Sequence, residues 1–445
     1  MSQFRKITQT ETEEFRKAYE ADALSHAMTN ALYKTDIKEL AYRPKVLADS
    51  QFTFSTELET LPVTNQKKSG RCWIFAALNL LREKAAKTCG LDSFELSQNY
   101  MAFWDKFEKV NYFLESMIAL ADRPTDDRLV SYLLTTGIAD GGQWDMFVNL
   151  AEKYGVIPKA AMEETYQSSN TAGMNKLLDT KLRQYASALR KVKTAGGDVQ
   201  AAKKKMLEET FRFLCMCFGE PPKTFDFEYT DRKKKYHIDR NLTPQQFYSK
   251  YIGGDLKDDY VSIINSPTED KPFYSSCTID YLGNVSEGVP VHYLNLPMEE
   301  MISLIVRQLQ AGEPVWFGSD VGHSGEREMG IWSTEFADYD GTFGMDFSMT
   351  KEERLNFRES AMSHAMVITG VNLDEDGKPN RWKIENSWSD EHGKKGYYLM
   401  SAEWFREYVY QAAISRKFLS ALQKKALASK PVHFCPWDPM GTLAD

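Results

Sequence analysis

One hexapeptide, Gly70-Arg71-Cys72-Trp73-Ile74-Phe75, constrains this chain more than any other stretch. A cysteine stands two residues after a glycine and directly before an indole. An apolar, alanine-rich run then continues through Ala76, Ala77, Leu78, Leu80 and Leu81. The pattern predicts a helix that opens at the cysteine and closes near Lys87, Cys89 and Gly90. Late cations and a glycine just beyond suit a helix C-terminus. The unpaired N–H groups at a helix start carry partial positive charge and favour thiolate over thiol. Gln66, six residues upstream, brings a side-chain amide to the same region. A thiolate so placed is a nucleophile in need of a base.

The base and its orienter are read far downstream. His364 opens the run His364-Ala365-Met366-Val367-Ile368-Thr369-Gly370-Val371. The turn residues Asp374-Glu375-Asp376-Gly377 follow, then the run Arg381-Trp382-Lys383-Ile384-Glu385-Asn386-Ser387-Trp388. Two β-type runs around a polar turn read as a hairpin. Positions 364 and 386 are equidistant from residue 375, so a hairpin folded there sets His364 opposite Asn386. The Asn386 carbonyl then holds the imidazole in the tautomer that accepts from Cys72, and a Cys/His ion pair is the expected resting state.

Gln66, Gly70-Arg71-Cys72-Trp73, Ser363-His364-Ala365 and Glu385-Asn386-Ser387-Trp388 together resemble the Gln, Cys, His, Asn signature of papain-like cysteine peptidases. In papain the His and Asn follow the Cys by ~130–150 residues; here His364 lies 292 residues after Cys72, which implies a large insertion. Asn65-Gln66-Lys67-Lys68-Ser69-Gly70, Glu95-Leu96-Ser97-Gln98, Asp140-Gly141-Gly142-Gln143-Trp144 and Pro314-Val315-Trp316-Phe317-Gly318 are similar to the bleomycin hydrolase and aminopeptidase C branch. So is the ending Pro436-Trp437-Asp438-Pro439-Met440-Gly441-Thr442-Leu443-Ala444-Asp445. Ser389 departs from the glycine usual after Asn-Ser-Trp, and a positive φ there would disfavour serine.

The resemblance implies an α+β, papain-like fold, with a helical half and a β-rich half. It implies that Cys72 attacks, His364 moves the proton, Asn386 orients the ring, and Gln66 with the Cys72 N–H holds the oxyanion. Five segments are expected: an extension over 1–60, a helical half over 61–170, a mainly helical insertion over 171–290, a β-rich half over 291–430, and an arm over 431–445. The arm is expected in the cleft, where the carboxylate of Ala444 or Asp445 faces a substrate amine; Trp388 is the third expected substrate-side residue and covers the Asn386–His364 contact. Peptides with a free N-terminus, a homohexameric assembly and bleomycin-hydrolase-like amide hydrolysis complete what the resemblance implies. A broad endopeptidase or amide hydrolase is the alternative, as is a catalytically silent ring that binds nucleic acid or acts as a scaffold.

Composition narrows these classes. Hydrophobic residues make up 42% of the 445 positions, enough for a large core. The start, Met1-Ser2-Gln3-Phe4-Arg5-Lys6, has no apolar stretch of the secretory kind, and no run approaches the ~20 apolar residues of a membrane span. Six scattered cysteines fit neither a zinc site nor a disulfide framework, so a reducing cytoplasm is expected, with no metal or cofactor. Basic clusters at 203–205 and 232–235 sit in a chain of net charge −8, which speaks against nucleic acid. Helices are expected over 10–30, 97–120, 143–154 and 298–311. A helical hairpin is expected over 174–218, broken at Gly196-Gly197, a strand over 224–229, and a Pro-initiated helix from Thr243.

Overall fold

The computed structural model describes residues 4–444. Its centre is one antiparallel run of strands: Val409–Ser415, Val315–Ser319, His364–Leu373, Pro379–Glu385 and Tyr397–Ser401, in that spatial order. The middle strand is buried on both faces. Ala365 and Val367 join a core with the helix Cys72–Cys89, whereas Met366 and Ile368 join a second core with the helix Met298–Gln310. A strand covered on both sides favours apolar residues at successive positions, which is why 365–368 reads as an unbroken apolar run.

Cys72–Cys89 runs as expected and stops at Gly90, whose φ of 65° is the left-handed conformation that glycine adopts without strain. Gln98–Ala119 and Trp144–Tyr154 pack beside it in the same core. Ala172–Thr194 and Val199–Phe218 form the helical pair, turning at Gly196 and Gly197. The first helix of that pair buries Met174, Leu178, Leu182, Tyr185, Ala186 and Leu189, a stripe at helical spacing. Its Arg190 donates to the carbonyls of Leu120 and Ala121, which end the 98–119 helix.

The span 171–290, expected as one inserted unit, is divided by the fold. The helical pair shares the core of the Cys72 helix, and Phe225–Thr230 with Tyr236–Leu242 makes a separate two-stranded sheet. Tyr260–Ile264 then joins the central sheet, antiparallel to Val409–Ser415, and Ser275–Ile279 lies further out in the same sheet. The helix expected over 10–30 is two helices, Gln9–Ala21 and Ala23–Leu32. Asp22 breaks them because its carboxylate caps the N–H groups of Leu24 and Ser25. Neither helix buries a residue, and Phe4, Phe15 and Tyr33 are exposed. Further on, Thr56–Glu57 pairs with His364–Leu373 and fixes the segment to the sheet. Among the described residues no helix is long and apolar enough to cross a membrane.

Candidate active site

Cys72 is the first residue of its helix and is buried. The turn before it is held by side chains rather than by a cap. Arg71 is buried and forms a two-pronged pair with Glu164 at 3.1 and 2.8 Å, while its Nε donates to Ser69 Oγ at 2.9 Å. The Gly70 N–H donates to Asp140 Oδ2 at 3.0 Å, and a Cβ on Gly70 would come within 2.9 Å of Asp140 Cβ. Glycine at 70 is therefore a close-approach requirement. Asp140 also receives Lys106, Thr171 and Asn175. Burial works against its carboxylate, but these partners win and hold its pKa well below the usual range.

The hairpin brings the distant residues to the cysteine. Ala365 N–H points at Cys72 Sγ over 3.4 Å, so His364 is one residue from the sulfur contact. His364 Nε2 meets Asn386 Oδ1 at 2.8 Å. An amide oxygen can only accept, so Nε2 carries the proton and Nδ1 is left as the acceptor. The pairing differs from the expected one. Val367 faces Glu385 and Ile368 faces Ile384, a register two residues off the one that would set Asn386 opposite His364, and the ladder ends at Glu385. The turn closes between Asp374 and Lys378, one residue later than the midpoint assumed. The offset is two residues, so the face is preserved and Asn386 reaches the ring diagonally. Trp388 stacks on the imidazole at 4.6 Å between ring centres.

Gln66 is buried in the same place. Its Nε2 donates to the Ser69 carbonyl at 2.6 Å and its Oε1 accepts from Ser387 Oγ at 2.6 Å. One N–H of the amide is thus engaged and its partner N–H is available to a ligand. Ser387 follows Asn386, so one loop fixes both the imidazole and the Gln66 amide; Ser387 was missed in the sequence although it lies in the Asn-Ser-Trp motif. Glu385, the preceding residue, was missed as well. It is buried against Arg82 at 2.8 Å and Asn79 at 2.8 Å, both on the Cys72 helix. This contact crosses between the two halves.

The electrostatics run against the expected ion pair. Burial pushes the Cys72 thiol up to about 11, against the N–H groups of Ala365, Trp73 and Cys72 itself. Burial likewise pushes His364 down to about 4, against the Asn386 hydrogen bond. Both groups are driven toward neutrality because desolvation outweighs the helix terminus.

The C-terminal segment lies across the same cleft. Gly142 N–H donates to the Leu443 carbonyl at 3.0 Å, and Thr442 Oγ1 donates to the Met362 carbonyl at 2.9 Å. Gly142 rests on the Trp73 ring, where any Cβ would come within 2.5 Å, and Met362 precedes His364 by two residues. The segment therefore touches both halves beside Cys72 and His364. Gly141 lacks a Cβ where one would strike the Leu443 carbonyl and Ala444. Met440 and Leu443 are buried, Lys271 pairs with Asp438 at 2.9 Å, and Arg128 lies on Trp437 at 4.0 Å. Ala444 is placed beside Gly141; Asp445, expected to face the substrate, lies outside the described residues.

The family model for the peptidase C1-like family matches residues 6–441. The chain belongs to that family. It is 48% identical over 428 residues to an aminopeptidase C of Lactobacillus delbrueckii subsp. lactis, covering 95% of this chain and 94% of that one. It is 46% identical to the aminopeptidase C of Listeria innocua serovar 6a, covering 98% and 99%. Among solved structures, PepW of Lactobacillus rhamnosus HN001 superposes with a TM-score of 0.96 at 48% identity, over 98% of this chain and 99% of that chain. The fold is thus the papain-like one of a cysteine peptidase.

Proposed function

We propose that Cys72, His364, Asn386 and Gln66 carry out the cysteine-aminopeptidase reaction of this chain, releasing N-terminal residues from peptides through a thioester on Cys72. The observation that supports this reading is the joint placement of the sulfur 3.4 Å from the Ala365 N–H and of the neighbouring imidazole 2.8 Å from Asn386. As the sulfur attacks the scissile carbonyl, its proton passes to Nδ1 of His364 and the carbonyl oxygen becomes an oxyanion. The free N–H of Gln66 and the Cys72 backbone N–H stabilise that charge, each such donor contributing ~3–4 kcal/mol. Collapse breaks the C–N bond, and His364 gives its proton to the leaving amine. Water, deprotonated by His364, then cleaves the thioester.

The arm supplies the exopeptidase selectivity. It occupies the cleft beside Gly141 and Gly142, leaving room for one residue before the scissile bond. The terminal carboxylate, from Ala444 or Asp445, pairs with the substrate ammonium. A cytoplasmic homohexamer fits the same reading, with the uncovered Phe4, Phe15 and Tyr33 as contact surface. Bleomycin-like amides with a free amine belong to the substrate range so defined.

The test is a matched pair of peptides, one free and one N-acetylated, with Cys72→Ala beside the intact chain. Cleavage confined to the free peptide and abolished by Cys72→Ala is expected. Full activity of Cys72→Ala would overturn the catalytic assignment, and equal rates on both peptides would overturn the exopeptidase one.

A further inference from the structure

The arm accounts for one side of the cleft, and the departing part of the peptide has to lie on the opposite side, beyond His364. That side begins with Trp388, stacked on the imidazole at 4.6 Å. The guanidinium of Arg327 lies on the Trp388 ring, with Cζ 4.7 Å from its centre. Arg327 is near enough for its charge to lower the His364 pKa.

Among the described residues, no carboxylate pairs with Arg327. Its acidic neighbours in sequence are committed elsewhere. Glu326 accepts the N–H groups of Glu328 and Met329, at 3.1 and 2.5 Å. Glu328 pairs with His392 Nδ1 at 2.9 Å. A guanidinium in cation–π contact with an indole and without a carboxylate partner keeps N–H donors for a ligand, and its planar fork matches a carboxylate.

We propose that Arg327 is a carboxylate-binding group on the leaving-group side, taking the C-terminal carboxylate of peptides that end one or two residues beyond the cleaved bond. The proposal rests on the aminopeptidase reading of Cys72 and His364. Its reach follows from the stacking. Through the Trp388 ring, the imidazole and the guanidinium are separated by at most the 4.6 and 4.7 Å contacts laid end to end. An extended chain advances ~3.3–3.6 Å per residue and the guanidinium N–H groups meet a carboxylate ~3 Å away, so this span is covered by one or two residues beyond the cleaved bond. The carboxylate of a dipeptide or tripeptide comes within range of Arg327, and that of a longer peptide is carried past it. The arm would then select the amine end of the substrate and Arg327 the acid end, favouring the shortest peptides.

The test compares kcat/KM for a dipeptide, a tripeptide and a hexapeptide with free amines, each as the C-terminal acid and as the amide. The full chain, Arg327→Gln and Arg327→Lys are assayed side by side. For the dipeptide and tripeptide the intact chain should favour acid over amide by about tenfold, the size of one charge-assisted contact. The hexapeptide should show no preference. Arg327→Gln should bring the acid-to-amide ratio to about one, with Arg327→Lys in between. No acid preference in the intact chain, or one that survives Arg327→Gln, would overturn the proposal. So would equal losses on acid and amide, which would mean that Arg327 only packs Trp388. Hydrolysis of neither form by the intact chain would instead sink the aminopeptidase reading, and the subsite with it.

Discussion

Replacing Arg82 by methionine tests how the two halves are locked together. Arg82 and Glu385 are both buried, 2.8 Å apart, and join the Cys72 helix to the strand end that carries Asn386. Burial pushes Glu385 up to about 7 even with Arg82 beside it. Removing the guanidinium raises it further, so the carboxyl in the variant stays protonated well above pH 7. In the unfolded chain Glu385 titrates near 4.5. Between pH 5 and 7 the folded carboxyl is protonated in both proteins, both stabilities fall alike as pH rises, and the difference between them is flat. Above pH 7 the intact protein sheds that proton and its slope from this group vanishes. The variant keeps the proton and goes on losing ~1.4 kcal/mol per pH unit. The variant should therefore be destabilised by ~1–3 kcal/mol at pH 6, from lost hydrogen bonds, and by ~3–5 kcal/mol at pH 9. Urea unfolding of both proteins at pH 6, 7, 8 and 9 reads this directly. With Glu385→Gln in both backgrounds, the difference made by Arg82→Met should no longer depend on pH. A difference independent of pH, or one that Glu385→Gln leaves in place, would refute the reasoning.

Three further predictions concern the site and its loop. Ser389 holds φ at 70°, a conformation costing an L-residue ~1–2 kcal/mol, so Ser389→Gly should raise the midpoint of urea unfolding with peptidase activity retained. Gln66→Ala should lower kcat by about 10²–10³, and Ser387→Ala, which loses the 2.6 Å bond to Gln66 Oε1, should lower it less; steady-state kinetics on one peptide checks both. Burial raises the Cys72 thiol to about 11 and lowers the His364 imidazole to about 4, and both directions favour the neutral pair. Cys72 in the resting enzyme should then show no thiolate ultraviolet absorbance at pH 7, and a thiolate band that His364→Ala removes would contradict this.

Local patterns were legible in the sequence wherever chemistry is repeated along the chain. The Cys72 helix closes at Gly90, the 172–218 hairpin turns at its glycine pair, and Ser389 has the positive φ that its place after Asn-Ser-Trp suggests. The β-hairpin was legible in kind but its register was not, because Asp374 and Lys378 close the turn one residue late. Pairings at long separation left no pattern: Arg71 with Glu164 and Arg82 with Glu385 lie on elements that only the tertiary fold brings together. The reversal at Cys72 belongs to the same class. A helix start can be read from residues nearby, whereas the desolvation that overrides it depends on what packs over the sulfur. Tyr260–Ile264 escaped assignment to the main sheet because its partner strand begins 149 residues later, at Val409.

The claim at the centre is that Cys72 is the nucleophile of an aminopeptidase whose own C-terminal arm enforces the exopeptidase mode. The most direct measurement sets the intact chain against one ending at Pro439, each on a free peptide and its N-acetylated twin. The truncation removes Met440, Leu443 and the Gly142–Leu443 hydrogen bond that seat the arm. The intact chain should cleave only the free peptide. The truncated chain should cleave the acetylated peptide at internal bonds and lose its preference for the free amine, and Cys72→Ala should silence both. Rejection of the acetylated peptide by the truncated chain, with its cleavage of the free peptide undiminished, would contradict the account.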